Sequence, residues 1–168
     1  MSDSSIDSSD ASSLVIRVIS PQDAKAVADL SGQLGYEASV EAMCERIARL
    51  SSCTERQVAF VACLGTEIVG WIEASIMHEL QSHPYSLISG LVVSEAKRSV
   101  GIGKRLCAEV ERWSTKQDVA TIRVTSRIAR EGAHRFYLRE GFQRIKTWAV
   151  FEKMLSEGNP LSDEAGGI

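Results

Sequence analysis

No stretch of this chain approaches the roughly 18–20 apolar residues that a membrane span requires. The longest apolar-leaning run, from Gln57 to Met77, is interrupted by Glu67, by Glu73 and by a Gly65-Thr66 turn. The opening residues, MSDSSIDSSDASS, hold neither the basic region nor the apolar segment of a secretory signal. A cytoplasmic chain with no membrane partner is therefore expected. Cysteine is sparse and unpatterned: Cys44, Cys53, Cys63 and Cys107 form no CxxC pair, and none falls at metal-ligand spacing with His78, His83 or His134. The expectation is no metal and no disulfide framework. Cys63 and Cys107 sit inside apolar patterns, where a thiol usually serves as a small core group.

Excess positive charge is missing as well. The chain has 19 basic and 22 acidic residues, a formal net charge of −3. Six of those acids (Asp3, Asp7, Asp10, Glu157, Asp163 and Glu164) lie in end segments that contain no base. Setting them aside leaves 16 acids against 19 bases, or +3, for the remainder. That excess is too small and too local for a nucleic-acid surface. The ends, residues 1–13 and 157–168, lack the apolar content to pack and read as flexible tails. A single domain over 14–156 is expected, long enough to bury a substantial core.

Within that domain the hydrophobic period changes repeatedly. Leu14 to Ile19 reads as a strand. Pro21 opens a helix to about Leu34, and Ser39 caps a second in which Val40, Met43, Ile47 and Leu50 recur at helical spacing. Val58 to Leu64 and Glu67 to Met77 form an expected hairpin, with Trp71, Glu73, Ser75 and Met77 on one face and Ile68, Gly70, Ile72, Ala74 and Ile76 on the other. A strand over Tyr85 to Ser94 follows, then a helix with Ile102, Leu106, Val110 and Trp113 inward, then a strand over Val119 to Ser126. A last helix carries Phe136 and Tyr137 and stops at Gly141, with apolar Phe142 behind it. Phe142 to Thr147 and Ala149 to Leu155 complete the set as two strands. The order β-α-α-β-β-β-α-β-α-β-β implies an α/β fold: a central, mostly antiparallel twisted sheet with helices on its faces.

Lys97, Arg98, Lys104 and Arg105 crowd around Gly101 and Gly103 in the stretch KRSVGIGKRL, which joins a strand to a helix. A helix N-terminus presents unpaired N–H groups and a partial positive charge. Glycines there admit phosphate oxygens close to the backbone. A tight turn with solvated bases is the alternative reading of the loop by itself. A dinucleotide fingerprint would need glycine where Leu106 stands, and a nucleotide-triphosphate loop would need Ser or Thr where Arg105 stands.

Arg98-x-x-Gly101-x-Gly103 after the strand Leu91-Val92-Val93 resembles the coenzyme A signature of the GNAT superfamily of acyl-CoA-dependent N-acetyltransferases. AHRFYLREGF, Ala133 to Phe142, is similar to that family's second motif, and the element order from Leu14 to about Leu155 also matches. The resemblance implies acetyl-CoA as co-substrate. Leu91, Val92 and Val93 would pair with its pantetheine arm, and the amides of Arg98, Ser99, Val100, Gly101, Ile102, Gly103 and Lys104 would surround its pyrophosphate. A backbone N–H near Val92 or Val93 would polarise the thioester carbonyl. Tyr137 matches the family's usual general acid.

The chain departs from the family pattern at the base, since YSLISGLVVS contains no carboxylate. Glu73 on the preceding strand is the candidate, with His78, Glu79 and His83 behind it; a surface or salt-bridged role competes for each. An asparagine frequent near Arg130 in relatives is also absent. The resemblance implies transfer of an acetyl group to a primary amine within a ternary complex. A small-molecule amine such as an aminoglycoside or a polyamine is slightly favoured over a peptide amine. Glu37, Glu41 and Glu45 border the segment that often lines the acceptor site. A non-catalytic acyl-CoA sensor and an acyl-CoA hydrolase are the alternatives. By analogy of fold the chain is expected to form a homodimer, with the strands around Trp148 as its interface.

Overall fold

The computed structural model describes residues 14–155. A five-stranded sheet runs in chain order: β1 (Leu14–Val18), β2 (Gln57–Leu64), β3 (Glu67–Met77), β4 (Tyr85–Val93) and β5 (Ile122–Val124). Neighbours pair antiparallel from β1 to β4, and β5 joins β4 in parallel. Helices α1 (Ala24–Gly32) and α2 (Val40–Ser51) cover one face. Helix α3 (Ile102–Lys116) packs on the other, and α4 (Glu131–Arg139) reaches the same cluster through Phe136. The expected fold class is the one observed.

Two buried clusters lie on either side of the sheet. On the α3 side, Ile72, Ala74 and Ile88 meet Ile102, Leu106 and Val110. On the other side, Val27, Met43 and Ile47 meet Ala59 and Val61 of β2. Six consecutive residues of β2, Val58 to Cys63, are buried, because helices cover both faces of this strand. The first crossing is anchored by Asp23, whose carboxylate takes two 2.7 Å bonds from the Arg17 guanidinium and a 2.8 Å bond from the Ser20 N–H. These bonds hold the Asp23 carboxyl below its ordinary pKa despite burial.

Four features differ from the sequence reading. The first helix begins at Ala24, because Pro21 to Asp23 form a 3-10 turn in which Asp23 reaches back to Ser20. Ile68 packs on the α1/α2 side rather than beside Ile72. The register gives Val69 no partner in β2 (Ala62 faces Gly70 and Cys63 faces Ile68), and this bulge reverses the alternation. The strand expected over Val119 to Ser126 is confined to Ile122–Val124. Phe142 to Thr147 and Ala149 to Leu155 form no strands among the described residues. Their composition suits a strand, but a strand exists only with a ladder partner, and none of the described residues pairs with them. Residues 1–13 and 156–168, which include both expected tails, lie outside the described part.

Candidate active site

The site begins with a fault in β4. Glu73 faces Gly90 and Ala74 faces Ile88, so Ser89 is an extra residue in the ladder. Up to this bulge β4 is paired on both sides, its Ser86, Leu87 and Ile88 opposite Ile122, Arg123 and Val124 of β5. Beyond it, residues 89–93 keep only β3, and the side toward β5 carries no strand among the described residues. Leu91, Val92 and Val93, expected from the sequence to meet the pantetheine arm, occupy this open half.

Two glycines bring the surroundings close to it. A Cβ on Gly70 would lie 2.8 Å from the carbonyl oxygen of Val92, and one on Gly90 would lie 2.5 Å from the Trp71 ring. Trp71 therefore lies over the backbone just past the bulge, with its indole Nε1 buried and without a hydrogen-bond partner among the described residues. The sequence places Trp71 on the strand face of Glu73 but assigns no part in the site to it, to Ser89 or to Gly90. A lone glycine inside a β-branched strand was the available signal, since it commonly marks a bulge or a close approach.

The open half leads into the turn before α3. Ser99 and Gly101 both have positive φ, 69° and 85°, so the chain reverses in left-handed conformations twice within three residues. Such a geometry at Ser99 costs on the order of 1 kcal/mol. The N–H groups of residues 98–104 donate to no backbone carbonyl among the described residues; the first helical bond runs from Arg105 to Gly101 at 3.1 Å. The result is a concavity of free amides at a helix N-terminus, an arrangement suited to anionic oxygens. Arg98 is exposed, with its Nε 3.4 Å from the Val93 carbonyl and its guanidinium 3.7 Å from Glu95. Gly101 and Gly103 are glycines for different reasons. Gly101 needs its positive φ but faces open space, whereas a Cβ on Gly103 would lie 3.1 Å from the Phe136 ring and 3.8 Å from Val93.

Gly103 thus fixes the approach of α4, and with it Tyr137. The N–H of Phe142 donates to the Tyr137 carbonyl at 3.0 Å, the N–H of Gly141 donates to Leu138 at 3.2 Å, and Gly141 has φ +89°. This is the glycine-terminated helix end expected from the sequence, and its apolar contact is the edge-to-face pair Tyr137–Phe142, 5.5 Å between centroids. A second edge-to-face contact joins Tyr137 to Phe136 at 5.2 Å. The Tyr137 hydroxyl forms no hydrogen bond with another described residue. Burial, reinforced by Cys107 and opposed by Arg130, pushes its pKa up to about 12, so the phenol keeps its proton.

Glu73 belongs to the other side of the sheet. It shares a strand face with Trp71, which packs in the α1/α2 cluster, whereas α4 reaches the α3 cluster. Burial raises the Glu73 carboxyl above its usual range, and a hydrogen bond with Ser89 partly offsets this. The remaining base candidates are engaged or outlying: Glu79 accepts from Tyr85 Oη at 2.9 Å and Ser82 Oγ at 3.2 Å, while His78 and His83 are exposed. His134 Nε2 lies 3.1 Å from the Arg127 carbonyl. Just past β5, Ser126 Oγ is buried without a hydrogen-bond partner among the described residues. Glu37, Glu41 and Glu45 are all exposed, at and just before α2. No group of three or more metal-binding side chains occurs among the described residues, and no helix there is long and apolar enough to cross a membrane.

Comparison with known proteins finds a family and similar folds. The model of the acetyltransferase (GNAT) family matches residues 29–142, more than half of the chain. The aminoglycoside N(6')-acetyltransferase type 1 of Stenotrophomonas maltophilia is 27% identical over 150 residues, which cover 86% of this chain and 96% of that protein. A solved structure of AAC(6')-Iy in complex with the bisubstrate analog CoA-S-monomethyl-acetylneamine superposes with a TM-score of 0.75 at 20% identity, covering 84% of this chain and 98% of its own. The aminoglycoside antibiotic 6'-N-acetyltransferase AAC(6')-IG of Acinetobacter haemolyticus gives 0.74 at 19% identity, with 84% and 99% covered.

Proposed function

The chain belongs to the acetyltransferase (GNAT) family and is an acetyl-CoA-dependent N-acetyltransferase, and from that premise we propose that it acetylates a primary amine on a small polycationic molecule, of which an aminoglycoside is the leading candidate. The observation that carries the mechanism is the half-paired β4, open from Ser89 to Val93 and running into a turn of unpaired amides. These groups fit the coenzyme. An extended amide-bearing arm can take the place of the strand that β4 lacks, and a diphosphate can accept from the N–H groups of residues 98–104. Arg98 and Lys104 add charge at the rim.

Bound there, acetyl-CoA supplies the thioester that the amine attacks. This chain's residues supply the rest. A main-chain N–H of the open half, at Val92 or Val93, polarises the carbonyl. Tyr137, protonated throughout the working range, donates toward the departing sulfur. Glu73, raised by burial and reached from the opposite face of the sheet, takes the proton from the ammonium. Placing donor and base on opposite faces suits a sheet that opens between β4 and β5, with the coenzyme entering from the α3/α4 side and the amine from the α1/α2 side.

Exposed Glu37, Glu41 and Glu45 present three carboxylates on that second side, which favours an acceptor with several positive charges. The names of the similar proteins point the same way. The test is CoA release from acetyl-CoA, followed by chromatography so that the protein's own thiols do not interfere, across aminoglycosides, polyamines, amino acids and peptides. Release dependent on aminoglycosides supports the proposal. Turnover only with peptides, or release without any acceptor, overturns it.

A further inference from the structure

The bulge in β4 sets two residues, Ser89 and Gly90, against the one residue Glu73 of β3. Bulges of this kind re-aim a side chain, and here the two positions serve differently. Gly90 lies under the Trp71 ring, where a Cβ would stand 2.5 Å from the indole. Ser89 carries a side chain, is exposed, and donates a hydrogen bond to the Glu73 carboxylate. It is also the first residue past Ile88, the last in β4 to pair with β5, so its outer side meets no strand among the described residues. Glu73 itself is half-buried. Ala59 faces it from β2, and Trp71 and Ser75 flank it along β3. No charged side chain of β2, β4, α1 or α2 is among the causes of its raised pKa, which are burial and, in opposition, Ser89.

We infer that Ser89 is a catalytic residue of the transfer, its hydroxyl relaying the proton of the acceptor amine to Glu73. The relay rests on Glu73 as the base proposed above, and it supplies the path by which an amine in the open half reaches a carboxylate set back in the sheet. A hydroxyl suits the task because it accepts and donates at once. The ammonium N–H donates to Ser89 Oγ. As that proton moves onto Oγ, the hydroxyl's own proton passes to a Glu73 carboxylate oxygen. The amine is left neutral, with its lone pair free to attack the thioester carbonyl. Ser89 is again a neutral hydroxyl, and Glu73 has become a carboxylic acid that returns its proton to solvent after the transfer. Two adjacent oddities of β4 thereby have separate purposes: Gly90 makes room for the Trp71 ring, and Ser89 links the exposed side of the strand to the half-buried base.

The contact and the relay are tested separately. Side-chain carboxyl ¹³C shifts, with the Glu73 signal identified by its loss in Glu73→Gln, give the titration of Glu73 without any acceptor. Ser89→Ala removes a donor to the carboxylate, so the midpoint is expected to rise, whereas Ser89→Thr keeps the hydroxyl and the wild-type midpoint. With an amine that the enzyme acetylates, Ser89→Ala is expected to lower kcat about tenfold, since water can replace part of the relay. The KM for acetyl-CoA should stay in place, and the acid limb of kcat/KM should move to higher pH. Ser89→Thr should restore both, and Ser89→Ala/Glu73→Gln should be no slower than Glu73→Gln alone. Because Ser89 is exposed, each variant should keep the wild-type circular dichroism spectrum. Wild-type turnover and an unmoved acid limb in Ser89→Ala overturn the relay while Glu73→Gln remains slow, and so does a Ser89→Thr as slow as Ser89→Ala. Wild-type turnover in Glu73→Gln removes the base, and the relay with it. If no amine is acetylated, the acceptor reading fails and the titration decides: equal midpoints in the wild type and Ser89→Ala overturn the relay.

Discussion

Two halves of one strand divide the labour in this protein. From Ser86 to Ile88, β4 is held on both sides, and its Ser86 hydroxyl accepts a buried 2.7 Å bond from Ser114 of α3. From Ser89 to Val93 it is held on one side only, and the chain then enters the left-handed turn at Ser99 and Gly101. The first half is closed structure, every ladder position spoken for. The second keeps main-chain hydrogen-bonding capacity unused, and the bulge at Ser89 is where one becomes the other. The binding site proposed for the coenzyme, made of backbone groups, would thus arise from a defect in pairing rather than from special side chains.

Tyr137→Phe is the sharpest way to separate the open half's chemistry from its binding. Turnover is expected to fall by about 10²–10⁴-fold, in the range of general acid loss, with the KM for acetyl-CoA nearly unchanged; full turnover in steady-state assays would remove Tyr137 from the reaction. Glu73→Gln is expected to lower turnover by roughly 10–10²-fold. Because burial raises this carboxyl above its ordinary 4.5, protonation below that raised value should cut kcat/KM as the pH falls, and the variant should lose this acid limb. Gly103→Val drives a branched side chain into Phe136, which a Cβ alone would meet at 3.1 Å. It should raise the KM for acetyl-CoA by about tenfold and cost about 1–3 kcal/mol in denaturant unfolding.

The smallest kinetic effect belongs to the closed part of the molecule. Asp23→Ala removes the partner of Arg17 and the acceptor of the Ser20 N–H, and is expected to cost about 2 kcal/mol while leaving both KM values in place. The pH dependence has a definite sign: the Asp23 carboxyl is held below its unfolded value, so its stabilisation is present above that value and disappears as the pH falls through the lower, folded one. Thermal melts of the wild type and the variant should therefore converge in acid.

Much of this was legible in the chain itself. The helical stripes, the β2–β3 hairpin and the Gly141 helix end follow from period and turn chemistry, which are local properties. The turn around Gly101 and Gly103 was recognisable because a strand, glycines and bases meet a helix start. Illegible were the features set by pairing between strands. The Val69 bulge that turns Ile68 to the other face, the Ser89 bulge that opens β4, and the cover of Trp71 over Gly90 depend on register, which period-two patterns do not carry. The C-terminal residues look like strands because their side chains suit a sheet, but no described strand pairs with them.

The central claim concerns backbone amides, which substitution does not remove, so the most direct measurement is peptide-resolved amide hydrogen exchange with and without acetyl-CoA. The account predicts slowed exchange in two segments, 89–93 and 98–104, with β1 and the first half of β4 unchanged. Saturating coenzyme that leaves both segments exchanging as fast as in its absence would contradict it.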